Sequence, residues 1–151
     1  MNSEPGLEPT VRRSITRAGE LKHKRVHEVL GELGLYPGQT FVLYALWSQD
    51  GLTQSELTER LNRSPSTITK KIQRMEKAGF VTRRSDDSDE RISRVFLTHA
   101  GREIQSAVEE AWNRLDCQIF AGFAAPELAL FHEFLLRVCW NLENTSSTPT
   151  N

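Results

Sequence analysis

TQSELTERLNRSPSTITKKIQRMEKAGFVTRRSDDSDERISRVFLTHAG, residues Thr53–Gly101, carries two short helical patterns, a tight turn between them, and a charged loop between two β-like runs. Thr53 with Glu56 three residues on is a reciprocal capping pair, which satisfies orphan N–H groups at a helix start. Leu57 and Leu61 then recur at helical spacing. Asn62-Arg63-Ser64 breaks the pattern, and Ser64 before Pro65 opens a second helix, because proline at the first helical position removes no needed donor. Ile68, Ile72 and Met75 share one face of it, and Gly79 is placed to end it in a left-handed conformation.

At about 100° per residue, Ser66, Lys70, Gln73 and Lys77 point away from Ile68 and Ile72, with Thr67, Thr69, Lys71 and Arg74 on the flanks. A face of small hydroxyls, an amide and cations suits a DNA major groove. Short side chains let the backbone approach, while Lys and Gln reach base edges or phosphates. The alternative for that helix alone is an ordinary solvated face. The next residues favour DNA. Phe80–Arg83 and Ser93–Leu97 are patterned to pair as a hairpin around the polar segment Arg84–Ile92. A loop that long in a small domain is usually functional or disordered. Asp89 lies two residues from Arg91, so its carboxylate can hold the guanidinium ready for a narrow minor groove.

The run Gly79–Gly101 resembles the wing signature of the MarR (multiple-antibiotic-resistance regulator) family of winged helix-turn-helix transcription factors. The matching skeleton is Asp89 and Arg91 in the wing, then Leu97, Thr98 and Gly101 opening a long helix. Leu35–Gln39 and Gly51–Leu57 are also similar to the family, and several motifs in the right order make a stronger signal than a lone turn. The resemblance implies a mainly α fold with a small β-hairpin wing. It implies a single domain over residues 10–144, with residues 10–34 and 98–144 as dimerisation helices and 35–97 as the winged helix-turn-helix core. It also implies a homodimer on a pseudo-palindromic double-stranded operator, acting as a repressor released by a small, often anionic aromatic effector. The expected DNA contacts are Ser64, Ser66, Thr67, Thr69, Lys70, Lys71, Gln73, Arg74 and Lys77 on the helix, and Arg83, Arg84, Asp89, Arg91 and Arg94 in the wing. His27, Tyr44, Trp47 and Trp112 are the candidates for an effector pocket, with core packing as the competing explanation for each.

Charge agrees once it is divided. The net charge is −1, yet Arg60–Arg84 holds eight cations against one anion, Glu76, so this segment carries +7 and the rest −8. A basic patch on an acidic body is the footprint of phosphate binding. A length of 151 residues suggests one domain with a real core. No apolar run is long enough to span a membrane, and the first ten residues lack a secretory pattern. Two cysteines are too few for a disulfide framework, so a reduced cytoplasmic protein is expected.

Outside the core, a long helix is expected from about Thr10 to Leu33, and Gln39–Ser48 reads as a buried helix, apolar on nearly all sides. Long helices after Thr98 and from Pro126 carry apolar positions on more than one face, which favours packing between chains over packing within one. Residues 1–9 and 145–151 read as flexible tails. Cys117 and Cys139 read as buried structural thiols rather than oxidant sensors, Cys139 being flanked by Val138 and Trp140. His23 and His27 have a chelating i, i+4 spacing, but cationic neighbours and no third ligand argue against a metal. No cofactor is expected. There is no Gly-rich phosphate loop, no metalloprotease motif and no nucleophile setting, so an enzyme is not expected. The acidic run Asp86–Glu90 lacks the glycine and distal glutamate of a calcium loop. A winged helix serving protein interaction is the other non-enzymatic class, and the +7 segment opposes it.

Overall fold

The structure, a computed structural model, describes residues 8–144. The elements run α1 (Glu8–Gly31), α2 (Gln39–Ser48), β1 (Leu52–Thr53), α3 (Gln54–Arg60), α4 (Pro65–Lys77), β2 (Val81–Ser85), β3 (Ser93–Leu97), α5 (His99–Ile119) and α6 (Ala125–Asn144). The expected tails fall on residues 1–7 and 145–151, outside the described residues. Glu8 and Pro9 belong to α1, which starts earlier than Thr10. A carboxylate and a proline are both well suited to a first helical turn. α1 closes at Gly34 (φ 71°), where Leu35 N–H donates to the Leu30 carbonyl at 2.9 Å and Gly34 N–H to Gly31 at 3.0 Å. Both leucines are 1% exposed, so this C-cap also buries its apolar clasp.

The helix starts read from sequence are present. Thr53 caps α3, accepting from Glu56 N–H while the Glu56 carboxylate accepts from Thr53 N–H at 2.7 Å. Ser64 caps α4, with Pro65 at its first position. Leu57, Ile68, Ile72 and Met75 are 0% exposed and meet Val42, Leu43 and Leu46 of α2, Val95 of β3 and Val108 of α5 in one core. Truncating any of these large side chains to alanine would cost about 2–5 kcal/mol.

The sheet has three antiparallel strands in the order β1-β3-β2. The hairpin pairs Val81 with Leu97 and Ser85 with Ser93. β1 adds Leu52 opposite Val95 and Thr53 opposite Arg94. At two residues, β1 is too short to leave an alternation in the sequence. The junction into α5 is tight. Thr98 N–H donates to the Phe80 carbonyl at 3.0 Å, and Gly101 N–H donates to the Thr98 hydroxyl at 3.1 Å. A Cβ on Gly101 would overlap the Phe80 carbonyl oxygen, so glycine is required there.

Two expectations need correction. α2 is not buried all round: Phe41 and Tyr44 are 56% and 39% exposed, because α3, α4 and β3 pack against the opposite side. Cys117 and Cys139 are free and exposed, not buried, since both lie on helical faces left uncovered among the described residues. Packing divides the chain between Leu115 and Asp116, and α6, in the second unit, has no buried residue despite its apolar content. Among the described residues no helix is long and apolar enough to cross a membrane.

Candidate nucleic-acid interface

α3 and α4 fix the geometry of the exposed basic face. Burying Ile68, Ile72 and Met75 forces Ser66, Lys70, Gln73 and Lys77 to the other side of α4, where all four are exposed. Lys70, Gln73, Arg74 and Lys77 make no hydrogen bond or ion pair among the described residues, so their donors are available to a ligand. The four hydroxyls expected at DNA are partly engaged inside the chain, Ser66 with the Ser64 hydroxyl at 3.2 Å. Ser64 and Thr67 hydroxyls bond each other at 2.8 Å as part of the cap. Thr69 donates to the Pro65 carbonyl at 2.8 Å and accepts from the Gln54 amide.

Lys71 sits on the flank with its amine beside Gly38, whose φ of 85° favours glycine. Partial burial lowers its pKa, with Arg63 and Arg74 adding repulsion. Arg63, Arg60, Lys71 and Thr67 line a cleft of about 490 Å³ with Gly38 and Phe41. This cluster of cations has no carboxylate in its lining, which suits phosphate oxygens.

The wing sorts its arginines into different roles. Arg91 is 90% exposed, and Asp89 accepts from its Nε at 3.0 Å and Nη2 at 3.1 Å. The arginine's hydrogen bonds hold the Asp89 carboxyl below the usual range. Arg83 pairs with Glu76 of α4 at 3.1 Å. Arg84 lies over the Phe96 ring, 5.4 Å from its centroid. Arg94 is turned inward: it donates to Asp86, to the Gly51 carbonyl at 3.0 Å, and lies 3.5 Å from Glu56. Its role as a DNA contact is therefore not what its surroundings favour.

The sequence alone does not single out Asp50. Its carboxylate accepts from Leu97 N–H at 2.9 Å and from Arg102 at 2.8 Å, tying the turn before β1 to β3 and α5. Such a long-range partner leaves no local signal in the sequence.

None of the four effector candidates lines the cleft at Lys71, the one at Arg74 or the one in the wing. Tyr44 and Trp47 meet edge to face at 5.1 Å, and Trp47 donates to the Gly101 carbonyl at 2.8 Å. Burial and the nearby Glu109 charge raise the Tyr44 pKa. Trp112 has a buried indole N–H with no acceptor. His27 is exposed and meets His23 edge to face at 4.6 Å. No cluster of three His, Cys, Asp or Glu among the described residues is arranged to hold a metal.

Comparison with known proteins agrees with this geometry. A family model described as "MarR family" matches residues 35–93. The chain is 31% identical over 117 residues to the uncharacterised HTH-type transcriptional regulator YwoH of Bacillus subtilis, covering 78% of this chain and 85% of that one. A second B. subtilis regulator, YdgJ, is 29% identical over 111 residues, covering 74% and 68% respectively. Among solved structures, a probable transcriptional regulator from Pseudomonas aeruginosa superposes with a TM-score of 0.73 at 23% identity, covering 88% of this chain and 99% of that one. A mutant MarR from E. coli, crystallised in complex with operator DNA, gives 0.72 at 24% identity, covering 90% and 99%. At such identities the structural likeness speaks to the fold, and the sequence relatives speak to the family. The chain belongs to the MarR family: it is a DNA-binding transcriptional regulator built on a winged helix-turn-helix, and not an enzyme.

Proposed function

We propose that the chain works as a homodimeric repressor, laying α4 in the major groove of a pseudo-palindromic operator and Arg91 in the adjacent minor groove. The observation that carries this reading is the exposed row Ser66, Lys70, Gln73 and Lys77, held opposite a fully buried apolar face on the same helix. The side-chain donors of Lys70, Gln73 and Lys77, unoccupied among the described residues, are what base edges and phosphates require. The E. coli relative crystallised with operator DNA supports an operator as the partner of this chain.

The dimer is supported by the apolar side chains left in solvent. α6 exposes Phe131, Phe134, Leu135, Leu136 and Trp140, the last at 64%, and α1 exposes Val11, Ile15 and Leu21. Patches of this kind mark interaction surfaces. In this reading α1 and the chain from Thr98 to Asn144 are the dimerisation helices, and residues 35–97 the reading core. Two copies about a two-fold axis would set their α4 helices about 34 Å apart, one DNA turn. Occupying a promoter in this way blocks transcription with no bond made or broken.

Release by a small molecule is the remaining part. Tyr44, Trp47 and the unpaired N–H of Trp112 supply aromatic surface and a donor in search of an acceptor. The Glu109 charge beside Tyr44 opposes an anion there. A neutral aromatic molecule with a hydrogen-bond acceptor fits these groups better.

Titrating a labelled promoter duplex at several salt concentrations tests the core of the reading. The logarithm of affinity should fall linearly with the logarithm of salt, by about 0.9 per phosphate neutralised. Binding indifferent to salt would reject it in favour of a protein-interaction module.

A further inference from the structure

The wing loop is anchored by one arginine that the DNA-contact reading leaves unexplained. Arg94 lies on β3, opposite Thr53 of β1 and Arg84 of β2. Its guanidinium joins three parts of the chain at once: Asp86 at the base of the wing loop, the Gly51 carbonyl before β1, and Glu56 in the capping pair of α3. Only 32% of the Arg94 side chain and 11% of the Asp86 side chain remain exposed, so the pair is shielded while Arg91 is not.

Asp86 passes the constraint onward. Its other carboxylate oxygen accepts from the Ser88 N–H at 2.9 Å, from the Ser88 hydroxyl, and from the Asp89 N–H at 3.3 Å. Asp86 N–H in turn donates to the Ile92 carbonyl at 2.8 Å, closing the loop. The segment so fixed contains Asp89, the residue that grips Arg91 through two side-chain hydrogen bonds. A continuous polar chain therefore runs from the start of α3 through Arg94 and Asp86 to the exposed guanidinium.

We propose that Arg94 is a positioning residue: through Asp86 it latches the wing loop to the helix-turn-helix, so that Arg91 meets DNA in a fixed pose relative to α4. This rests on the DNA-binding reading above. A preorganised guanidinium loses less freedom on binding than one on a mobile loop, and the gain appears as affinity. Arg94 itself need not touch the duplex.

The test is a thermodynamic cycle read by fluorescence anisotropy on the labelled promoter duplex, with wild type, R94Q, D86N, R91A, R94Q/R91A and D86N/R91A. R94Q and D86N should each weaken binding by about tenfold, comparable to losing one charge-assisted contact. Neither should weaken it further in the R91A background, because residues that act as a unit do not add. R94K, which keeps a cation within reach of Asp86, should recover part of the loss. Trypsin should nick R94Q and D86N after Arg91 faster than wild type, a readout that needs no DNA.

A direct phosphate contact by Arg94 would lower affinity and salt slope equally in the R91A background, and that result overturns the latch. So does R94Q or D86N binding like wild type, or a general loss of folding stability that tracks affinity in every background. Should R94Q fail to fold, D86N alone decides, since it breaks the same pair from the solvent-facing loop. A wild type that ignores duplex DNA would instead overturn the functional reading and the latch together.

Discussion

Asp89 grips Arg91 through two parallel hydrogen bonds, at 3.0 and 3.1 Å, while 90% of the arginine side chain remains in solvent. Fork-to-carboxylate pairing of this kind fixes direction as well as charge. Exposed as it is, the pair adds little to folding, because solvent screens it. Arg91→Ala should therefore weaken operator binding while leaving the melting temperature nearly unchanged. An anisotropy titration beside a thermal melt checks both halves. Unchanged affinity would remove Arg91 from the interface.

Lys70 and Gln73 lie on the exposed face of α4, their side chains without a partner among the described residues. If either reads a base edge, alanine there should cost about 1–3 kcal/mol and relax preference at one position of each half-site. Binding selection on a randomised half-site resolves the two cases. A uniform loss over all sequences, with the salt slope reduced by about one, would assign the residue to phosphate.

Gly101 is held against the backbone of Phe80, and its carbonyl accepts from Trp47 at 2.8 Å. The obstructing atom is a carbonyl oxygen that itself accepts from Thr98 N–H, so it has little room to retreat. Gly101→Ala should destabilise the fold by about 1–3 kcal/mol, the usual scale of overpacking. Urea melts would show a lower midpoint at unchanged slope. A midpoint equal to wild type would mean that the α5 junction opens without cost.

Local chemistry was the legible part of this chain. The Thr53–Glu56 capping pair, the Ser64-Pro65 start, Gly79 as a helix end and the Asp89–Arg91 pair all act within three residues, and each occurs where its spacing predicts. Long-range partners were not legible. Nothing near Asp50 announces Leu97 or Arg102, and nothing near Arg94 announces Gly51 or Glu56, so one was passed over and the other was read as a DNA contact. Apolar content also misled in one direction. It signalled burial for Cys139 and for Phe41, but burial depends on whether another element arrives to cover the face, and among the described residues none does.

The uncovered faces yield a prediction about assembly. Phe131, Phe134 and Leu135 on α6 are 41–46% exposed, a heavy apolar load for solvent. Replacing Leu135 with Asp should dissociate the proposed homodimer, since a carboxylate at an apolar contact is left unpaired. Light scattering coupled to gel filtration should report half the wild-type mass, and operator affinity should fall with it. A wild type already monomeric at micromolar concentration would contradict the proposed arrangement.

Acid titration gives a last check on the wing. The Ser88 hydroxyl, the Arg94 guanidinium and the Ser88 N–H, in that order, hold the Asp86 carboxyl far below the usual carboxylate range. A group whose folded pKa is depressed stabilises the fold above its unfolded value, about 3.9 for Asp, and loses that contribution as pH falls through the folded value. The ionised latch should thus be intact from neutral pH down to about 4, and weaken only below it. Asp86→Asn removes the titrating group, so its deficit in melting temperature relative to wild type should be constant above about pH 5 and shrink toward pH 2. Glu56 shifts in the same sense, but chiefly through the Thr53 N–H and hydroxyl, which Asp86→Asn leaves in place. A deficit that stays the same across the acid limb would mean that Asp86 carries no shifted proton, and that the pair with Arg94 is absent in solution.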